Sequence, residues 1–198
     1  MSLESRSPGT GLRRTLADPI AIRALAHPIR LQLRDLLDLR GPLTAAAAAR
    51  ELGISQALAS HHLRQLAKYR FVEPAPATDA RERPWQITET SVSWRGAERT
   101  DQGAAAADLL ELLLANQAIQ HLADWQRRRR DWDSSWRDHA GLAQNLLELT
   151  AQEMQELGTA IDALIAPYTR PRSQPATGTV MVDLTIVGVP LSAATGRA

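Results

Sequence analysis

Apolar residues recur at steps of three and four through the early part of this 198-residue chain: Ile22, Leu25, Ile29, Leu33, Leu36 and Leu37. That spacing marks one face of a helix. Asp18 suits a cap, and Pro19 suits the first helical position. Pro28 lies inside the pattern and predicts a break or kink, because proline lacks an N–H and its ring clashes with the preceding turn. Gly41-Pro42 ends the segment. "TAAAAARELG" predicts a short helix capped by Thr44. Gly53 supplies the turn, since only glycine enters left-handed geometry cheaply. Ser55 opens a second helix running to about Tyr69. Two short helices joined by a tight glycine turn form a helix-turn-helix pattern.

The period then changes. Phe71-Val72 and Trp85–Thr88 read as short strands flanking a polar, proline-rich loop that carries Arg81 and Arg83. This predicts a hairpin, or wing, after the second helix. From about Trp94 to Arg130 a long helical pattern returns, with Leu109, Leu112, Leu113, Ile119 and Leu122 as its apolar stripe. A break is expected near Asp133–Ser135, and a short strand within Leu142–Leu149. Thr150 and Glu153 form a capping-box pattern at the start of another helix. That helix carries Met154, Leu157, Ile161 and Leu164 and stops before Pro167. "TVMVDLTIVGV" is β-branched and apolar, the strongest strand signal in the chain. It is expected to pair with the Leu142–Leu149 strand.

On a helix advancing about 100° per residue, Ala59, Leu63 and Leu66 fall on one side. Gln56, Ala57, Ser60, His61 and Arg64 fall on the other. The second set is polar, and its chemistry suits DNA. Arg64 can form a bidentate pair with guanine or clamp a phosphate, and Gln56 can pair with adenine. Ser60 and His61 can bond base edges or phosphates, and Ala57 permits close approach. Arg81 and Arg83 can reach the backbone or minor groove. The blander reading of His61 is a solvated surface residue. His61 and His62 diverge by about 100° and so do not chelate one ion easily, because helical ligands prefer spacings of three or four. His62 turns towards the packed side, as a structural histidine.

Charge sharpens this picture. Residues 1–100 hold 15 Lys and Arg against 10 Asp and Glu, whereas residues 101–198 hold 8 against 12. A basic half joined to an acidic half suits contact between the first half and a polyanion. The chain has no cysteine, which removes disulfides, thiolate metal sites and cysteine nucleophiles. No apolar run reaches the ~18 residues of a membrane span, and the amino-terminal "MSLESRSPGTGLRRT" has no signal-type apolar core. A cytoplasmic location without membrane contact is expected. There is no glycine-rich phosphate loop, metal-ligand cluster or nucleophile arrangement. Catalytic residues, metal and cofactor are therefore all expected to be none, and the protein is not expected to be an enzyme.

The stretches "LAHPIRLQLRDLL" and "AAAARELGISQALASHHLRQLAKYRFVE", with the Arg-bearing hairpin, resemble the ArsR-type winged helix-turn-helix transcriptional regulators. The resemblance covers about Pro19–Thr90. It implies a homodimer on double-stranded DNA with an inverted-repeat operator, usually as a repressor. It also implies that Ser55, Gln56, Ala57, Ser60, His61 and Arg64 are recognition-helix positions and that Arg81 and Arg83 belong to the wing. The thiolate pair of metal-sensing members has no counterpart here. Their other metal site, built from Asp and His on the last helices, is matched only by His121 and His139. The carboxy-terminal part is similar to extended, cysteine-free, non-metal-sensing members.

Leu122, Trp125, Arg129, Trp132 and Trp136 repeat at steps of three and four and share a face if the helix continues. Leu122, Trp125, Trp132 and Trp136 can line a pocket for a small-molecule effector, or pack in a core or dimer interface. The expected fold is mainly α with small β. A flexible arm (1–16) leads into a winged helix-turn-helix domain (17–93). A carboxy-terminal part (94–198) follows, with a long dimerisation helix and a small α+β unit. The expected function is a sequence-specific DNA-binding regulator acting by operator occlusion. The alternative is a protein-interaction module on a winged-helix scaffold that does not bind DNA.

Overall fold

The computed structural model describes residues 13–16, 18–76, 83–88, 91–94, 100–168 and 178–191. Helix α1 (Pro19–Leu25) starts where the Asp18 carboxylate accepts the Ile20 N–H at 2.9 Å. The break expected at Pro28 is real: α2 (Pro28–Arg40) is a separate helix. Its cap is His27, whose Nδ1 accepts the Ile29 N–H at 3.2 Å. After Gly41, a two-residue strand β2 (Leu43–Thr44) leads into α3 (Ala45–Leu52), capped by Thr44 Oγ1 on the Ala47 N–H at 3.1 Å. Gly53 takes left-handed geometry, φ 65° and ψ 29°. There the Ile54 N–H donates back to the Ala49 carbonyl at 3.0 Å, closing the helix end. Ser55 Oγ then accepts the Leu58 N–H at 3.2 Å and opens α4 (Gln56–Lys68).

Strands β3 (Val72–Pro74) and β4 (Pro84–Ile87) pair antiparallel, with Val72 opposite Ile87 and Pro74 opposite Trp85. Strand β2 joins the other edge of β4, so the wing is a three-stranded sheet in the order β2-β4-β3. The sequence pattern omits β2, because two residues carry no readable alternation.

A second pairing corrects the expected arm. Strand β1 (Arg13–Thr15) lies parallel to β5 (Ser91–Ser93), and Leu16 is only 2% exposed. The Leu16 N–H donates to the Ser93 carbonyl at 2.6 Å. An apolar anchor and a strand edge thus order the last part of a segment whose composition reads as flexible.

Helix α5 (Asp101–Arg128) is 28 residues long, about 42 Å at 1.5 Å per residue. It packs against α1 through Gly103, Ala106, Ala107 and Leu110. The expected stripe is therefore displaced: Leu109, Leu112 and Ile119 point outwards. Small residues at 103, 106 and 107 let the two helices approach closely, and they decide which face is buried.

The core gathers Ile22, Leu25, Leu33, Leu37, Leu63, Leu66, Val72 and Leu110. Among the described residues, none beyond Leu114 joins it. After a 3-10 turn (Arg129–Asp131) come α6 (Ser134–Arg137) and α7 (Ala151–Ile165). The capping box of α7 is present as expected, with both Thr150 and Glu153 bonded reciprocally. Among the described residues the two expected carboxy-terminal strands are not formed: neither Leu142–Leu149 nor residues 179–189 belongs to a sheet. The later segment lies along helices instead. Asp183 Oδ2 meets His121 Nδ1 of α5 at 2.6 Å, and Gly188 lies against Met154 of α7. The overall class is as expected, mainly helical with a small antiparallel sheet and one long helix.

Candidate nucleic-acid interface

Helix α4 divides cleanly into two sides. Ala59, Leu63 and Leu66 are 0% exposed and pack into the core. Gln56, Ala57, His61 and Arg64 are exposed, and Ser60 is half-buried beside them. The structure therefore brings together the five outward residues that helical spacing selects. Ser55 is exposed at the amino end of the same helix, with its hydroxyl engaged as the cap. Helix α4, 13 residues long, thus presents one polar face to solvent and packs its other side against α3 and α2.

The paired histidines separate as the geometry predicts. His61 is exposed, while His62 is 7% exposed. The His62 ring lies 4.5 Å from that of His27 and 5.3 Å from that of His61, centroid to centroid. Burial, then the charges of His27, Arg30 and His61, lowers the His62 pKa to about 4. Burial also lowers that of His27, with Arg30 and His61 acting in the same direction. His62 Nδ1 and Arg30 Nε are both buried without a hydrogen-bond partner. His62 is thus a neutral packing residue behind the exposed face. No group of three or more His, Asp or Glu side chains suited to a metal ion occurs among the described residues.

The wing is fixed at its base. Gln86 Nε2 donates to Glu73 Oε1 across the strands at 2.9 Å, and the Ala75 N–H donates to the Pro84 carbonyl at 2.9 Å. Arg83 is exposed beside this base, whereas Arg81 lies outside the described residues. Sequence reading misses one positioning feature. Arg70 adopts φ 60°, and its carbonyl accepts from Thr88 Oγ1 at 2.6 Å. This left-handed turn ties the end of α4 to the far end of β4 and so sets the wing's direction. A non-glycine residue with positive φ leaves no sequence signal.

The tryptophans assemble, but not along one helix. Helix α5 ends at Arg128, and the chain turns before Trp132. The turn brings Trp125 and Trp132 to 5.8 Å, and Trp132 and Trp136 to 6.0 Å, between ring centroids. All three are half-buried, as is Leu122. An open groove of about 340 Å³ at this end of α5 is lined by Gln126, Arg127, Arg129 and Arg130 rather than by the tryptophans. Arg127 is paired with Asp124.

Residues 25–75 match the family model described as a helix-turn-helix domain. A search of curated proteins finds no match to the chain. Among solved structures, wild-type MarR from E. coli is similar at 14% identity, covering 75% of this chain and 88% of that one, with a TM-score of 0.32. ZitR from Lactococcus lactis is similar at 18% identity, covering 71% and 81%, with a TM-score of 0.31. The heme sensor protein PefR from Streptococcus agalactiae is similar at 18% identity, covering 73% and 75%, with a TM-score of 0.31. At these scores the whole chains do not superpose closely. The chain's own helix-turn-helix, with a three-stranded wing behind it, defines a winged helix-turn-helix protein. Among the described residues, no helix is long and apolar enough to cross a membrane.

Proposed function

We propose that this protein is a sequence-specific DNA-binding transcriptional regulator, a homodimeric repressor of ArsR type that occludes an inverted-repeat operator. The observation that carries the proposal is the division of α4: three core residues fully buried, and Gln56, Ala57, His61 and Arg64 presented to solvent. Arg64 and Gln56 read base edges, while Ser55, Ser60 and His61 bond base edges or phosphates. Arg83, together with Arg81, contacts the backbone or minor groove beside the helix. Two such lobes occupy successive major grooves about 34–36 Å apart, joined through α5. The sequence resemblance supports the ArsR-type assignment, and the lack of cysteine supports its non-metal-sensing branch. The cluster of Trp125, Trp132 and Trp136, with Leu122, is the proposed apolar surface for a small-molecule effector or for the dimer interface.

Gel shifts with the DNA upstream of the protein's own coding sequence, repeated across salt concentrations, test this function. A tight complex on specific sequence is expected, with affinity falling as a power of salt concentration. Binding that ignores sequence, or no binding at low salt, overturns it.

A further inference from the structure

Arg30 of α2 is half-buried, and its Nε has no hydrogen-bond partner. Three histidines lie around it. His27 and His61 are each in ring contact with His62, at 4.5 and 5.3 Å between centroids. The charges of Arg30 and His61 bear on both His27 and His62, so the four basic groups form one cluster. Tyr69, at the end of α4, is the other titratable group that acts on Arg30. Among the described residues, no carboxylate pairs with any of the four.

Such a cluster runs against ordinary packing. A partly buried guanidinium is normally matched by a carboxylate, because desolvated charge is costly without a partner. Here positive groups are gathered instead. The start of α2 does not explain them, since its amides are already engaged. The Ile29 N–H donates to His27 Nδ1, and those of Arg30 and Leu31 donate to the His27 carbonyl at 3.0 and 3.1 Å. The remaining donors belong to side chains. Arg30 offers its guanidinium. His27 accepts at Nδ1, so the proton of its neutral ring lies on Nε2 and is a second donor. Donors gathered without an acceptor in the chain point to an anion from outside it.

The cluster also has a telling position. His61 belongs to the exposed polar face of α4, with Gln56 and Arg64. The basic groups therefore begin on that face and continue sideways to the start of α2. A helix in a major groove is flanked by the sugar-phosphate backbone, and contacts there fix register without reading sequence. We infer that His27, Arg30 and His61 form a cradle for one phosphodiester of the DNA backbone, beside the recognition face and separate from Arg64 and the wing. Arg30 supplies the permanent charge, His27 donates from Nε2, and His61 closes the site from α4. His62, 7% exposed, is its packed floor. The inference rests on the DNA-binding reading of α4.

Fluorescence anisotropy of the full chain tests it, with a duplex from the upstream DNA and a random-sequence duplex of equal length. Arg30→Gln is expected to weaken both by about tenfold or more, as for loss of a hydrogen bond to a charged group. It should also flatten the salt slope by ~0.9, the share of one phosphate. Arg30→Lys should restore the slope. His27→Asn keeps a residue suited to capping α2 and should weaken both duplexes alike. A neutral methylphosphonate placed at successive positions of the upstream duplex then locates the contact. Wild type should lose affinity at one flanking position where Arg30→Gln loses none. A wild type that binds no DNA at low salt overturns the proposed function and this inference together. A wild type that binds, with Arg30→Gln and His27→Asn matching its affinity and slope, overturns this inference alone. So does a loss confined to the upstream duplex, which would make Arg30 part of base reading. Inorganic phosphate that binds the DNA-free protein through Arg30, with an unchanged DNA salt slope in Arg30→Gln, assigns the cradle to a free anion and also overturns it. If Arg30→Gln does not fold, the methylphosphonate scan of His27→Asn decides, and a profile identical to wild type overturns the inference.

Discussion

The rings of His27 and His62 lie 4.5 Å apart and join the start of α2 to the buried side of α4. Both pKa values are lowered, that of His62 to about 4, with burial as the leading cause. Arg30 and His61 add positive charge around the pair. Neutral His27 also caps α2 through Nδ1, and a proton on that nitrogen removes the acceptor. The native state therefore binds fewer protons than the unfolded chain between the ordinary histidine value of 6.5 and about 4. The His62 contribution is fully present above pH ~6.5 and is lost as pH falls towards ~4. Its size is at most on the order of 3 kcal/mol. Urea midpoints measured from neutral pH down to ~5 should fall for the wild type, and His62→Leu should flatten that fall. Equal slopes in the two proteins would remove the His27–His62 contact as the cause.

Arg64 and His61 form the centre of the exposed face of α4. Arg64→Ala should weaken operator binding by ~1–3 kcal/mol and relax preference at one base pair. His61→Ala should also weaken it. Chelators should change nothing in either protein. Arg83→Ala should act differently, lowering affinity evenly across sequences and reducing the salt slope by ~1. Competition binding against a panel of operator variants distinguishes these outcomes. An Arg64→Ala protein with unaltered base preference would exclude Arg64 as a base reader.

The turn that aims α4 depends on Gly53 and Ser55. A Cβ at Gly53 would meet no atom within 4 Å, so the strain of Gly53→Ala comes only from its φ of 65°. That costs ~1–2 kcal/mol for a residue with a side chain. Ser55→Ala removes the cap on Leu58 and costs ~1 kcal/mol. Denaturation curves of the two single variants and the double variant are the check. The double variant should depart from additivity, since both residues shape one turn. No loss in either single variant would show that tertiary packing alone holds the turn.

Most of the amino-terminal architecture is legible in the sequence because each device there is local. Asp18, Thr44, Gly53 and Ser55 act within four residues of themselves, and their caps and turns are found as expected. The split between Leu63 and Arg64 follows from helical period alone. The misses all depend on distant partners. β1 needs Ser91–Ser93, and the buried face of α5 is chosen by α1. The tryptophans meet through a turn and not along a helix. The strong strand pattern of residues 179–189 is not realised as a strand among the described residues, because alternation does not supply the neighbour that a sheet needs. Arg70 with its φ of 60° is invisible to pattern, because nothing in an arginine codes for left-handed backbone.

Trp132 stands between Trp125 and Trp136, at 5.8 and 6.0 Å. It lies beyond the last residues of α5 that touch the core. Tilted and edge-to-face aromatic pairs contribute ~0.5–1.5 kcal/mol each beyond their area. Because the cluster is separate from the core, this energy should hold the end of α5 without holding the winged-helix domain. Trp132→Ala should therefore speed hydrogen exchange in the stretch from Leu122 to Trp136 and alter the near-ultraviolet circular dichroism. The main unfolding transition and operator affinity should stay close to wild type. A global loss of the ~3–5 kcal/mol that follows removal of a core aromatic would instead place Trp132 inside a buried interface. If that loss shrinks as protein concentration rises, the interface is between subunits, and the effector-surface role falls away.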